Sequence, residues 1–364
     1  MSEKSDITLR AIDFFCGAGG MTCGMKQAGI GVLGGVDIDE GCKETYEKNN
    51  EPSFFILGDI AQLAPERLAE LTGITREDDS LIFIGCSPCQ YWTKIRTNKE
   101  KSEKTKDLLN IFEEFVSQFK PGFVVVENVP GLYNQRENNI LGDFLSFLGG
   151  KSYNILHNNV INAINYGVPQ NRERYLLIAS RIASSVDIPK HESVDDLTVR
   201  KFIGSDNGFY PIPAGHRDAT GAMHTAAGLS EPNMRRIMMT DPDGGTRFCW
   251  KDDPKLQIPT YEGRDGYFRD VYGRMFWDRP APTITTRFHS LSNGRFGHPD
   301  EHRAISLREG ATLQTFPKDY KFFGSSIGSI ARQIGNAVPP ELARRIGYAV
   351  VQSYYNAKQS NTEG

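Results

Sequence analysis

The stretch Leu9-Arg10-Ala11-Ile12-Asp13-Phe14-Phe15-Cys16-Gly17-Ala18-Gly19-Gly20 passes from an apolar run into a glycine-rich turn, and Met21 to Ala28 then follows helical spacing. Strand, glycine turn and helix in that order open a parallel α/β sheet, with turn amides left close to any ligand. The alternation continues. Apolar runs recur at Gly31 to Val36, Phe54 to Leu57, Leu81 to Ile84, Phe123 to Val126 and Tyr175 to Ala179, and a further strand is expected at Tyr153 to Val160. Between two of them, apolar residues at 108, 109, 111, 112, 115, 116 and 119 keep a helical period. Residues 9–180 therefore predict βαβ units and a mostly parallel sheet.

The turn also limits what it can bind. Asp37 closes the second strand, where a carboxylate accepts from ribose hydroxyls, and Asp59 follows the third, within reach of an adenine amino group. The third, helix-proximal glycine of the dinucleotide fingerprint is missing, which disfavours a pyrophosphate. An adenosine without phosphates fits better. A glycine turn after a strand is equally common as a plain tight connection, so this loop alone does not decide.

Two further strands end in chemistry. Leu81 to Ile84 runs into Gly85-Cys86-Ser87-Pro88-Cys89-Gln90, and Phe123 to Val126 into Glu127-Asn128-Val129-Pro130. A thiol and a carboxylate are thereby delivered to the carboxyl edge of the sheet, where open α/β folds place their sites. Cys86 and Cys89 have CxxC spacing, yet no second CxxC or CxxH supplies further ligands, so no metal is expected. With six cysteines in 364 residues, a disulfide framework is not expected either.

Composition excludes little. The net charge of −3 gives no global sign of a polyanionic partner, but it averages over faces and hides any local basic cleft. No apolar stretch approaches the roughly 18 residues that span a bilayer, and the amino terminus lacks a signal-peptide core. The expectation is a soluble cytoplasmic protein with no membrane partner. Beyond residue 188 Gly, Pro, Asp and Arg become dense, which reads as a second, irregular domain. Pro280-Ala281-Pro282-Thr283-Ile284-Thr285-Thr286 should be extended. A helix resumes at Pro339, and 359–364 reads as a frayed tail.

Together these motifs resemble the DNA (cytosine-5) methyltransferase family of bacterial type, in order along nearly the whole chain. Phe14 to Gly20 resembles its S-adenosylmethionine loop, Gly85 to Gln90 its Pro-Cys-Gln motif and Glu127-Asn128-Val129 its Glu-Asn-Val motif. Gln170-Asn171-Arg172-Glu173-Arg174, Arg279-Pro280-Ala281-Pro282-Thr283 and Arg332-Gln333-Ile334-Gly335-Asn336-Ala337-Val338-Pro339 match later elements. The implied fold is a Rossmann-like S-adenosylmethionine-dependent methyltransferase domain, residues 1–188 plus 325–364, with a smaller irregular target-recognition domain, 189–324.

The implied reaction explains why such groups are needed. Carbon 5 of cytosine is a poor nucleophile until a thiolate adds to carbon 6 and creates an enamine. Cys89 would be that nucleophile. Glu127 would hydrogen-bond N3 and the exocyclic amine, holding or sharing a proton. Arg174 would meet the carbonyl oxygen and orient Glu127, and Arg172 would position the Cys89 loop or a phosphate. The implied cofactor is S-adenosylmethionine, held by Phe15, Gly17, Gly19, Gly20, Asp37, Ile38, Asp59, Ile60, Pro88, Asn336 and Val338. Two departures from the family pattern are Ile38 in place of an aromatic and Thr93 in place of Ser.

A base inside a duplex cannot reach such a cleft, so the cytosine must be flipped out, with Tyr91 to Lys106 as the closing loop. The implied partner is double-stranded DNA, contacted by Gln90, Lys94, Arg96, Thr283 and Arg287. Arg264, Arg269, Arg274 and Arg295 are further candidates. The chain reads as a monomeric enzyme paired with a cognate restriction or phage-defence system. Rivals are an RNA (tRNA) cytosine-5 methyltransferase, whose Cys-Phe-Thr element is not found, and a non-catalytic DNA-binding relative.

Overall fold

The computed structural model describes residues 9–87, 108–134 and 140–360. By contacts the chain forms two compact units, one made of 1–162, 173–190 and 338–364, the other of 163–172 and 191–337. The second unit thus takes in 163–172 and 325–337 besides the irregular region.

The first unit carries one seven-stranded sheet in the order β3-β2-β1-β4-β5-β7-β6. Its strands are β1 (Arg10–Phe14), β2 (Gly31–Asp37), β3 (Phe54–Leu57), β4 (Leu81–Gly85), β5 (Phe123–Asn128), β6 (Asn154–Asn162) and β7 (Glu173–Ser180). β1 to β5 pair in parallel, and β7 lies antiparallel to both β5 and β6. The chain order reverses between β1 and β4, so the carboxyl ends of β1, β2, β4 and β5 surround a switch point, where open sheets bind ligands.

β4 and β5 are buried along their whole length, which is why they read as unbroken apolar runs. The helix Leu108–Phe119 covers them with Phe112, Phe115 and Phe119. Phe14 meets Phe83, Phe112 and Phe115 at centroid distances of 5.1–5.2 Å, an edge-on and tilted arrangement that fixes strand and helix together. At Gly85 an added Cβ would lie 2.9 Å from the Phe112 ring, so the end of β4 needs its glycine. Elsewhere in this unit the helices Gly20–Gln27 and Pro340–Ser360 pack closely through Gly24 and Gly347. The carboxyl-terminal helix runs to Ser360, so Gln359 and Ser360 are helical rather than frayed.

The second unit has no named strand. Short helices and 3-10 turns surround the helices Glu231–Met239, Leu307–Leu313 and Ile327–Asn336. The segment from Pro280 to Thr285 lies outside helices and makes one parallel bridge, Gln170 to Ala281.

Candidate active site

The first-unit site starts at the turn after β1. Phe15 (φ 63°), Gly17 (φ 49°) and Gly19 (φ 85°) are all left-handed, so the turn folds back on itself before the helix Gly20–Gln27 begins. A left-handed Phe costs on the order of 1 kcal/mol or more and persists only where its surroundings hold it. Here the Phe15 and Cys16 amides both donate to the Val36 carbonyl, at 2.7 and 3.2 Å. Asp37 ends β2 and completes the clasp: its Oδ2 accepts from the Gly17 amide and its Oδ1 from the Asp39 amide, both at 2.8 Å. Burial raises the Asp37 carboxyl above its ordinary value, against the pull of those two amides. Beside it Ile38 is 68% exposed, an aliphatic surface with nothing over it among the described residues. Asp59 is half-buried and accepts from the Ala61 amide at 3.0 Å. The Ile60 side chain belongs to the core, so only its backbone is left for a ligand.

A second group gathers at β4, β5 and β7. Asn128, buried at the end of β5, donates through Nδ2 to the Ser87 carbonyl (3.2 Å) and hydroxyl (3.0 Å), and its Oδ1 accepts from Val129. It ties down Ser87, just ahead of Pro88 and Cys89 in the sequence. Glu127, 7% exposed, is one residue earlier, and Arg174 on β7 brings Nε to 3.0 Å from Glu127 Oε1. The distance is that of an ion pair, but the N–H direction misses the oxygen. Glu127 Oε1 is therefore buried with no hydrogen-bond donor among the described residues. The nearby Cys86 thiol is pushed well up by burial and then by the Glu127 and Asp13 carboxylates, which keeps it neutral and unreactive. Pro88, Cys89, Gln90, Lys94 and Arg96, and the loop from Tyr91 to Lys106, lie outside the described residues.

Arg172 belongs to the second unit. It is 2% exposed, and its guanidinium donates to the carbonyls of Ile284 (3.0 Å), Gly335 (3.2 Å) and Ala337 (3.1 Å). Three of its hydrogen bonds thus go to backbone carbonyls. Gln170 works the same way: its Nε2 donates to Leu313 O and Gln314 Oε1, and its Oε1 accepts from the Ile284 amide. These two residues splice 163–172 to the extended Pro280 segment and to the helix Ile327–Asn336. Thr283 donates to the Asn171 carbonyl at 2.5 Å, while Arg287 is exposed. At the end of the last motif Asn336 is exposed, whereas Val338, in the first unit, is buried.

Asp13 is a residue the sequence reading passed over. It is fully buried in β1, with Oδ2 accepting from Thr22 Oγ1 at 2.7 Å and Oδ1 lacking any partner among the described residues. Burial raises its carboxyl to about 7, with the Thr22 hydroxyl opposing and the Asp37 charge adding. The available signal was an acid in the middle of an apolar strand. Among the described residues one trio has metal-type ligands, His298, Glu301 and Glu309, but both carboxylates there are paired with Arg303.

The sequence matches the model of the C-5 cytosine-specific DNA methylase family over residues 9–352. It is 38% identical over 343 residues to the Type II methylase M.HgiDII of Herpetosiphon aurantiacus, covering 93% of this chain and 94% of that protein. It is 31% identical to the Type II methyltransferase M.Sau96I of Staphylococcus aureus, over 93% of this chain and 74% of that one. A solved Escherichia coli structure, a putative DNA modification methyltransferase encoded within a prophage, shares the fold with a TM-score of 0.73 at 23% identity, covering 96% of this chain and all of that one. A family model spanning nearly the whole chain, on a sheet of this order, settles the assignment: the protein belongs to the C-5 cytosine-specific DNA methylase family and is a DNA (cytosine-5) methyltransferase.

Proposed function

We propose that the chain methylates a cytosine turned out of duplex DNA, with Cys89 adding to carbon 6 and with Glu127 and Arg174 holding the ring. The undonated Glu127 Oε1 carries this reading. A buried carboxylate oxygen without a donor is costly unless a ligand completes it. The amine and N3 edge of cytosine offers that completion. As the thiolate adds, electrons move from the 5,6 double bond toward N3, and a proton shared by Glu127 neutralises the charge there; once carbon 5 is methylated, loss of its proton to water restores the double bond and releases the Cys89 thiolate from carbon 6. Arg174, 3.0 Å from Glu127, keeps further donors for the ring carbonyl. Asn128 fixes Ser87, two residues before Cys89 in the sequence. Arg172 is a positioning residue in this reading.

The turn after β1 fits S-adenosylmethionine. Asp37, at the end of β2, and Asp59, after β3, place acid beside it, which suits a cationic sulfonium better than phosphates. When bound, this cofactor supplies an electrophilic methyl group. Asp37 would take the ribose hydroxyls on lone pairs its two amide donors leave over, and Phe15 and Ile38 would sandwich the adenine. Asp59 would accept from the adenine amine, and Gly17, Gly19 and Gly20 would admit the methionine part close to backbone. By resemblance Ile60, Pro88, Asn336 and Val338 complete the pocket, and Gln90, Lys94, Arg96, Thr283 and Arg287 contact DNA. The Type II names of its relatives support a role protecting DNA from a cognate restriction endonuclease.

Incubation with S-adenosylmethionine and a duplex carrying 5-fluorocytosine at its target tests the chemistry. Fluorine cannot leave carbon 5 as a proton, so the Cys89 bond persists and the complex survives denaturing electrophoresis. Cys89→Ser should abolish the adduct and keep DNA binding; equal trapping by the variant would refute the assignment. Methyl incorporation into tRNA but not into duplex DNA would favour the RNA rival, and binding without any adduct the non-catalytic one.

A further inference from the structure

The second unit holds a small apolar core that includes Ile237, Trp250, Leu256, Tyr272 and Leu291. The segment 262–270 stands on it with every residue exposed. Both flanks are anchored, since Tyr261 packs against this core and Tyr272 is part of it. Beneath the segment lies Arg247, only 3% exposed. Its Nε donates to Phe268 O (3.2 Å), its Nη2 to Arg264 O (3.2 Å) and Tyr267 O (3.3 Å), and its guanidinium lies 5.2 Å from the Tyr261 ring centroid. Phe268 takes the left-handed conformation this turn requires (φ 53°). A buried guanidinium is costly without such partners. A loop that merely solvates itself has no need of one.

The charges on this turn are sorted. Asp265 lies 3.7 Å from Arg247 and 3.9 Å from Lys251, and Asp270 pairs with Arg295 at 2.9 Å. Arg264 and Arg269 have no carboxylate partner among the described residues, although Arg269 Nε donates to the Asp265 carbonyl at 3.3 Å. Tyr267 is 71% exposed. The turn thus offers two guanidiniums without a carboxylate partner among the described residues, and an aromatic ring, on a fixed backbone. Arg274 is different in kind: it is fully buried and donates to the carbonyls of Ile237, Thr240 and His298. Arg295 likewise donates to Gly244 O and Arg274 O.

We propose that Arg264, Arg269 and Tyr267 read base edges in the major groove of duplex DNA, from a turn held in shape by Arg247, and so decide which sequence is methylated. This rests on the methyltransferase reading above. A phosphate contact tolerates a mobile side chain, whereas bidentate recognition of a base such as guanine needs the backbone fixed beforehand. Among the arginines that sequence alone offered for base contact, the structure separates these two from Arg274 and Arg295.

The test uses the full chain and two readouts. Arg264→Ala, Arg269→Ala and Tyr267→Ala alter exposed side chains and should leave thermal unfolding unchanged. Bisulfite sequencing of DNA from cells expressing each protein should show Arg264→Ala or Arg269→Ala accepting bases the wild type rejects at one position of its site. The preference for the wild-type site over its neighbours in kcat/KM should fall about 10-fold or more. Selection from a random duplex pool gives the same comparison without chemistry, so loss of wild-type methylation would overturn the enzymatic reading and leave this test standing. An unchanged pattern in all three variants, or binding weakened equally on every sequence with a shallower salt dependence, overturns the proposal.

Discussion

Two buried carboxyls respond to pH in opposite senses because only one has a cation. Asp13 meets a hydroxyl and a neighbouring carboxylate, and burial lifts it to about 7. Its neutral form belongs to the fold, so its contribution to stability is full below the ordinary carboxyl range and is lost as pH rises through about 7. At 1.36 kcal/mol per pH unit the total is about 4 kcal/mol at most. Urea unfolding at pH 5 and pH 8 should show that decline in the wild type and its near absence in Asp13→Asn; identical slopes would remove Asp13 as its source. Glu309 is equally buried, which works against its charge, but Arg303 donates to both its oxygens, at 2.6 and 2.8 Å, and holds it down at about 2. Its contribution is present above the ordinary glutamate range and is lost as pH falls through about 2. Glu309→Gln leaves Arg303 with one fewer carboxylate and should cost about 3–5 kcal/mol at pH 7, read as a lower urea midpoint.

The helix pair Gly20–Gln27 and Pro340–Ser360 shows how the turn after β1 is braced. A Cβ on Gly24 would overlap the Pro340 carbonyl and the Ala343 side chain, and one on Gly347 would meet Ala28. Gly24→Val should therefore destabilise the chain by about 1–3 kcal/mol and weaken S-adenosylmethionine binding in equilibrium dialysis, because the same helix begins at Gly20 of the turn. Unchanged affinity would mean the turn is set without this brace. The strands were legible in the sequence because each buried one is a short apolar run, and Asp37 and Glu127 because they end two of them. Arg172 was not. Its three carbonyls lie 112, 163 and 165 residues away, a tertiary arrangement no local pattern encodes. The resemblance took Gln170 to Arg174 as one element, yet the chain passes there from one unit into the other, leaving Gln170 and Arg172 in the second unit and Arg174 on β7 of the first. The turn 262–270 was equally opaque, since what distinguishes it is a buried arginine beneath it rather than its own composition.

Neither unit is a continuous piece of chain. The backbone passes between them after residues 162, 172, 190 and 337, so the first unit receives its final helix only after the whole second unit has been made. That helix contributes Leu342, Ile346 and Val350, each fully buried. Aliphatic side chains of this kind contribute about 1.5–3 kcal/mol each, and their sum is comparable with the roughly 5–15 kcal/mol that separates a folded domain from its unfolded chain. Residues 1–190 alone should therefore lack a cooperative unfolding transition and should not bind S-adenosylmethionine, even though every strand and the β1 turn are present. Rejoining 338–364 through a flexible linker should restore both, as followed by circular dichroism in urea and by the cofactor's thermal shift. A cooperative transition in 1–190 with the midpoint of the intact chain would show that the sheet stands without its last helix, and that the return of the chain serves the second unit instead.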